Sequence, residues 1–373
     1  MTHNGSFKNF SHVALGRIVT AGLFGIFYLT FATFLDPDTY GQMSYFIAIA
    51  GTASIISRFG LPLSVTVYRA KEKHVLANQA NVLSVITTGA ASIILLSIDL
   101  YAALLCFALS SFLMNQHNFL GLKKYKKFFG LSITRGIFVI TIPVLFYFIL
   151  DLPGILIGLA LANFLGSIDF FKSLSRKVQS FRDLRVNRKV LLHNFGVESS
   201  SALSRWVDKL LIVPLYGFAI VGVYQFNLQI LFVFMTIPNA FYSFLLSEKS
   251  SGSKQKRMSY LVILVAVLLV SVIIITSPFL IEQFFPKYIQ GTFALQILII
   301  SLIPLSFTAI FHAELQAKES TRVGYGGVIK IGSLLIFITI FGNIFGLLGL
   351  SMAVLLSSSL ETIFLAVIFR MYK

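Results

Sequence analysis

Apolar residues run along this chain in blocks of roughly twenty, each closed by a short polar break, from about residue 11 to the last residues. Blocks of about that length cross the ~30 Å hydrocarbon core of a bilayer as helices. They are far longer than the alternating strands of a membrane barrel, about ten residues each, and a backbone in lipid has to satisfy its own hydrogen bonds. The pattern therefore predicts an all-α, polytopic membrane protein of about twelve transmembrane helices. They are placed at 11–34, 41–65, 77–98, 100–121, 128–150, 153–171, 191–214, 217–246, 258–281, 291–313, 324–342 and 346–369.

Charge in the breaks tests this placement, because Lys and Arg accumulate on the cytoplasmic side of alternate loops. One set of breaks holds Lys8, then Arg69, Lys71 and Lys73, Lys123 to Lys127, the run from Lys172 to Lys189, Lys249 to Arg257, Lys318 with Arg322, and Arg370 with Lys373. The other set, which includes DPDTY at 36–40, LYGF at 215–218 and GNIFG at 342–346, holds only Lys287. Both termini are accordingly expected in the cytoplasm of a multi-pass protein of the cytoplasmic (plasma) membrane. The opening MTHNGSFKNF lacks the n-region, short apolar core and small-residue cleavage site of a signal peptide, so the first span is expected to be retained.

The longest basic break, KSLSRKVQSFRDLRVNRK, divides the spans six and six. The expected organisation is an amino-terminal lobe at 1–171, a basic cytoplasmic linker at 172–190 and a carboxyl-terminal lobe at 191–373. Six spans is an even number, so a duplicated half enters the membrane in the same sense, giving a parallel pseudo-repeat. FLDPDTYGQMSYFIAIA (34–50) and LYGFAIVGVYQFNLQIL (215–231) each set a glycine, Gly41 and Gly222, after a short turn at the start of an apolar helix.

Composition agrees with this picture. The chain is 57% hydrophobic and 12% charged, with a mean hydropathy of +0.86, whereas about a quarter of the residues of a soluble domain are charged. A net charge of +16 points to nucleic acid in a soluble protein. Here the cations sit where they meet anionic headgroups, so membrane lipids rather than nucleic acid are the expected contact. The single cysteine, Cys106, lies in an apolar stretch without metal-ligand spacing and reads as packing. No metal site is expected. Neither a P-loop nor a hydrolase or zinc-protease motif is present, so a primary ATP-driven pump in a single chain is not expected; the chain is read as a transporter and not an enzyme.

Six cations fall inside the predicted spans: Arg17, Arg58, Arg135, Arg205, Lys209 and Lys330. An Arg at mid-bilayer costs about 3 kcal/mol or more, so such residues face a protein interior or a wet cavity. Arg17, Arg58 and Arg135 come from three spans but fall in the same cytoplasmic third of the membrane. Either they converge on one cavity or each snorkels to lipid phosphates. Arg205 belongs to ALSRWVDKLL, where an unbroken helix at about 100° per residue lines up Glu198, Ser201, Arg205, Asp208 and Lys209 as one polar stripe. Arg205 and Asp208, three apart, are placed to pair.

A guanidinium cluster suits a phosphate or diphosphate, because arginine offers a planar donor fork. The acids Glu198, Asp208 and Glu361 read either as ion-pair partners or as the site of a coupling cation, Na+ or H+. Asp36-Pro-Asp38 has D-x-D spacing, but in a short outer turn it reads as turn geometry. His193 and His312 fall near span ends, an interfacial placement.

Two stretches resemble the Wzx-like polysaccharide flippases of the MOP exporter superfamily, which also holds lipid II flippases and MATE multidrug exporters. FLDPDTYGQMSYFIAIAGTASIISRFGLPLSVTVYRA (34–70) is similar to the family's acidic turn, Y-G, apolar helix and G-L-P with a basic exit. SRWVDKLLIVPLYGFAIVGVYQFNLQI (204–230) is similar to its W, D-[KR], short turn and V-G-x-Y pattern. The resemblance implies export of a polyprenyl- or dolichyl-linked saccharide, with Arg17 and Arg58 matching the first- and second-span arginines used for the diphosphate. The chain lacks two carboxyl-terminal spans of the lipid II branch, which argues against a peptidoglycan precursor.

The expected function is thus a lipid-linked oligosaccharide flippase working by alternating access as a monomer, with saccharide-assembly enzymes as partners. Its expected headgroup site is Arg17, Arg58, Arg135 and Arg205, with Glu198, Asp208 and Lys209 as cavity or coupling residues. The alternative is a MATE-like, cation-coupled exporter of organic cations, which calls for an uncompensated acid in an apolar cavity. A saccharide polymerase or ligase would need a sizeable outer loop, which the spacing leaves no room for.

Overall fold

The structure, a computed structural model, describes residues 3–174, 178, 180–203, 205–250, 256–317 and 323–371. Every regular element among them is helical. The helices are α1 (His3–Phe34), α2 (Pro37–Arg58), α3 (Leu61–Ala70), α4 (His74–Leu95), α5 (Leu100–Gly121), α6 (Tyr125–Leu165), α7 (Ile168–Ser173), α8 (Arg182–Val186), α9 (Arg188–Leu203) and α10 (Val207–Tyr216). They continue with α11 (Phe218–Ser250), α12 (Lys256–Phe284), a 3-10 turn (Pro286–Gly291), α13 (Thr292–Ile300), α14 (Leu302–Ala317), α15 (Val323–Phe345) and α16 (Leu347–Met371).

Six of these helical segments are each long and apolar enough to cross a membrane, and α2 with α3 makes a seventh, bent by 49°. Large side chains such as Phe148, Ile149, Ile275 and Phe279 stand more than two-thirds exposed on these helices. Apolar exposure on this scale belongs to a lipid-facing surface. The chain is a multi-pass membrane protein.

Several expected spans are not single straight helices with the expected bounds. Span two ends at Arg58, because Phe59 and Gly60 both take positive φ, 49° and 73°. Span seven breaks between α9 and α10, and span ten breaks at Ser301, just before Pro304. Span one starts earlier than expected, at His3. Spans five and six form α6, which turns back on itself at Asp151, where φ is 53°.

Chain duplication shows in the turns. In α6 the reversal is Asp151; Gly154, three residues on, packs against the carbonyl of Phe146, five residues back. Between α15 and α16 the reversal is Gly346, with φ 54°. Gly349, three residues on, packs against the carbonyl of Phe341, five residues back. The same offsets at the close of each half build the same tight hairpin, in which a Cβ on the glycine would strike backbone.

The matched glycines Gly41 and Gly222 also meet. Gly41 abuts the Phe218 carbonyl and Gly222 the Pro37 carbonyl, a reciprocal crossing of α2 and α11 in which each side uses positions four residues apart. Asp36 starts α2 as its cap. Its carboxylate accepts from the backbone N–H groups of Asp38 and Thr39 at 3.0 and 3.1 Å and from the Thr39 hydroxyl at 2.9 Å. That is the turn role expected of D-x-D. These bonds outweigh the effect of partial burial and hold the Asp36 carboxyl below its ordinary range.

The chain packs as two compact units. One comprises 1–27 with 43–207, the other 28–42 with 208–373. These units differ from lobes divided at 172–190. Residues 28–42 pack with the later half through the glycine crossing, through Lys287 Nζ donating to the Phe34 carbonyl at 2.8 Å, and through the Tyr40 and Tyr288 rings. Residues 188–207 pack with the earlier half, through contacts described below. In the first unit a core forms around Leu61, Val65, Tyr68, Met114, Phe170 and Leu184. In the second a larger core runs through Ile212, Val221, Leu228, Leu298, Ile338 and Leu350.

Candidate functional site

The break after Arg58 builds the best-defined charged site. Arg58 is the last residue of α2, where unpaired helix carbonyls favour a cation. Gly60, in the break, lies so close to the α9 backbone that a Cβ would collide with Phe195 N and reach the Leu191 carbonyl at 2.7 Å. Phe59 stacks on Phe195 with centroids 4.7 Å apart, and the Asn194 side-chain amide donates to Ser64 Oγ at 2.8 Å. Leu191, Asn194, Phe195 and Glu198 recur at i, i+3, i+4 and i+7, so one face of α9 is laid along this break.

At the end of that face Glu198 meets Arg58. Arg58 is 2% exposed; its NH2 nitrogen donates to Glu198 Oε1 at 2.8 Å and its NH1 to Ser54 Oγ at 3.0 Å. Ser54 in turn shares a 2.9 Å hydrogen bond with Ser110 of α5. The Nε of Arg58 has no acceptor among the described residues.

Arg135 is buried in different surroundings. Its Nε donates to Asn163 Oδ1 at 3.2 Å, and its guanidinium lies 4.8 Å from the Phe112 ring centroid and 5.6 Å from that of Phe24. Rings and an amide replace a carboxylate here, since no acidic side chain comes within ion-pair distance among the described residues. Arg58 and Arg135 make no direct contact. Arg17 lies in α1, with its side chain outside the described residues.

The stripe expected over 198–209 is divided. Arg205 and Trp206 sit in the break between α9 and α10, so helical projection does not carry across them. Arg205 is exposed rather than lining a helix face, and Trp206 lies flat against Gly51 of α2, where a Cβ would stand 2.9 Å from the indole. Beyond the break, Asp208 and Lys209 are both buried. Lys209 Nζ donates to Asp208 Oδ1 at 2.9 Å, and the Tyr224 hydroxyl donates to Oδ2 at 3.0 Å. A coupling cation at Asp208 would therefore compete with a tethered ammonium.

Two further polar clusters were not assembled by sequence, although Glu361, Lys330 and His312 were each named there. Glu361 of α16, 4% exposed, lies 3.2 Å from Lys330 Nζ and 3.8 Å from His312 Nε2. The three come from different helices, and only the rarity of charge in lipid marks them in sequence. Arg69, grouped with the cytoplasmic cations by sequence, is buried. Its Nε donates to Asn118 Oδ1 at 3.1 Å and its NH2 to Asn78 Oδ1 at 2.8 Å, while Asn81 and Asn118 exchange amide bonds. Asparagines within apolar helices were the available signal.

Residues 6–128 match the family described as polysaccharide biosynthesis protein. A comparison with curated protein sequences gives no match. Among solved structures, the lipid II flippase MurJ in an inward closed conformation is similar at 16% identity and a TM-score of 0.69, over 98% of this chain and 87% of that one. An inward-facing multidrug MATE transporter of the MOP superfamily is similar at 15% identity and a TM-score of 0.68, over 98% of both chains. A MOP superfamily transporter from Pyrococcus furiosus follows at 15% and 0.63, over 98% of this chain and 95% of that one. At these identities what is shared is the fold, that of the MurJ and MATE transporters.

Proposed function

We propose that the chain is a flippase of the MOP superfamily, moving a polyprenyl- or dolichyl-linked oligosaccharide across the cytoplasmic membrane by alternating access. Its phosphate or diphosphate is taken by Arg58 and Arg135, with Arg17 and Arg205 contributing from the same compact unit. The observation that carries this reading is Arg135, a buried guanidinium with no carboxylate at ion-pair distance among the described residues. A buried charge left uncompensated by protein suits an anionic ligand. Such a ligand needs no bond to be broken and no cofactor, only a site that opens in turn to each membrane face. The expected lobes, 1–171 and 191–373 about the basic 172–190 stretch, are the bodies proposed to exchange access. Segments 28–42 and 188–207, each packed outside its own half, are the segments proposed to change partners in that cycle.

The match with a MATE transporter over 98% of both chains supports a second reading, export of organic cations coupled to Na+ or H+. Against it stands the pairing of the membrane acids: Glu198 with Arg58, Asp208 with Lys209, and Glu361 with Lys330. Each already holds an internal cation. The deciding experiment is lipid analysis of cells lacking the protein. Lipid-linked saccharide should accumulate on the cytoplasmic face and be cleared by the wild type but not by Arg58→Gln. Unchanged lipid-linked saccharide, with drug efflux that depends on Glu198 or Asp208, would transfer the assignment to the exporter.

A further inference from the structure

We infer that Glu198 is an internal stand-in for the substrate's anionic headgroup: its carboxylate holds Arg58 while the site is empty, and an arriving diphosphate displaces it and frees that end of α9 from α2. The inference rests on the reading of Arg58 as a headgroup ligand.

Four observations converge on it. First, the ion pair is asymmetric in exposure, 2% for the Arg58 side chain and 15% for Glu198. The Glu198 side chain is the outer member, and although its Oε2 is itself shielded from solvent, it is from the Glu198 side that an arriving anion meets the pair. Second, the pairing is incomplete. Glu198 takes a single prong of the fork, at NH2, while NH1 is turned to Ser54 and Nε has no acceptor among the described residues. Phosphate oxygens accept from two guanidinium nitrogens at once, so a diphosphate offers Arg58 more than the internal carboxylate does.

Third, exchange avoids the cost of opening. Removing one partner from a buried pair is strongly unfavourable because the other charge is left uncompensated. Substitution of one anion for another keeps Arg58 neutralised throughout, and the released Glu198 is the better hydrated of the two. Fourth, Glu198 is the last residue of the α9 face laid on the α2–α3 break, and the helix ends five residues later, ahead of the turn that holds Arg205 and Trp206. Leu191, Asn194 and Phe195 anchor the near end on Gly60 and Ser64. Glu198 therefore sits between an anchored segment and a break in the helix, where loss of one ion pair lets the far end move.

The chain supplies its own reporter. Trp206 is the sole tryptophan and lies against Gly51, seven residues before Arg58 on α2. Movement of the far end of α9 lifts the indole from that glycine and changes its emission.

The test uses the purified full chain in detergent, titrated with farnesyl diphosphate as a short polyprenyl diphosphate, with Trp206 emission and ligand affinity read together. The wild type should show a saturable emission change. Glu198→Gln should already show the shifted emission without ligand and bind about tenfold more tightly, the scale of one ion-pair contribution. Arg58→Gln should lose binding. If Glu198→Gln does not fold, Glu198→Asp, which shortens the reach to Arg58, should tighten binding by a smaller factor. Equal affinity in the wild type and the Glu198 variants, or binding without any change at Trp206, overturns the stand-in role. In that case loss of binding in Arg58→Gln leaves the headgroup reading standing. Wild-type binding by Arg58→Gln removes both.

Discussion

The two compact units share a hairpin and differ in how they handle charge. Each half closes on a hairpin with the same offsets, Phe146, Asp151 and Gly154 in one and Phe341, Gly346 and Gly349 in the other. Buried charge is handled differently. In the second unit Lys209 has Asp208 beside it in sequence, and Glu361 has Lys330. In the first, Arg135 has rings and an amide, and Arg58 borrows a carboxylate from 140 residues away. Backbone packing can repeat in both halves because it depends on a few glycines and turns. Charge balance is free to diverge, and the half with a buried guanidinium lacking a carboxylate among the described residues is the one proposed to take the anion.

The sharpest way to break that contrast is to remove one partner from each buried pair. Glu198→Ala strands Arg58, and Lys209→Ala strands Asp208 beside Tyr224; each should cost about 3–5 kcal/mol, the scale for a buried charge left alone. Added polyprenyl diphosphate should restore the melting temperature of Glu198→Ala, because the anion refills the vacated position, and should leave Lys209→Ala unchanged. Thermal unfolding in detergent with and without the lipid reads both. Rescue of both variants, or of neither, would erase the difference between the units.

How much of this could be read from the chain follows the same division between local and distant information. Helix positions follow from apolar block length, and the correspondence of Gly41 with Gly222 was visible as a matched turn, because both are local patterns; that the two glycines meet was not. The break after Arg58 was missed although Gly60 and Pro62 carry a break signal, because the apolar block runs on through them and block length alone set the span. The division of 198–209 was missed too, because projecting a stripe assumes an unbroken helix and Arg205 and Trp206 interrupt it. Arg58 and Arg135 were found as charges in lipid, but their partners were hidden: Glu198 and Asn163 are distant in sequence. Sequence locates a buried charge by its cost; only the fold says what offsets it.

The likeness between the hairpins can be tested at a smaller scale. Gly154→Ala and Gly349→Ala each place a Cβ into a backbone carbonyl of the opposing helix, of Phe146 and Phe341. Neither neighbour can move without shifting its own helix, so each substitution should cost about 1–3 kcal/mol, the range for overpacking. Near-equal losses of melting temperature support a common hairpin. A loss confined to one would mean that only that half depends on the close approach.

Arg135→Met carries the smallest expected effect on stability and separates ligand chemistry from packing. The methionine keeps the apolar length that fills the space between Phe24 and Phe112 and stays in favourable contact with the rings. It forfeits the bond to Asn163 Oδ1 and the cation–π attraction, about 1–2 kcal/mol together. It also removes the desolvation cost of a buried guanidinium, which is of similar or larger size. The net change in melting temperature should be close to zero, while diphosphate binding weakens about tenfold or more, as expected when a charged hydrogen-bond donor leaves the site. Were the variant instead to bind normally and unfold readily, Arg135 would be a packing element, and the proposed headgroup site would have to be built on Arg58 without it.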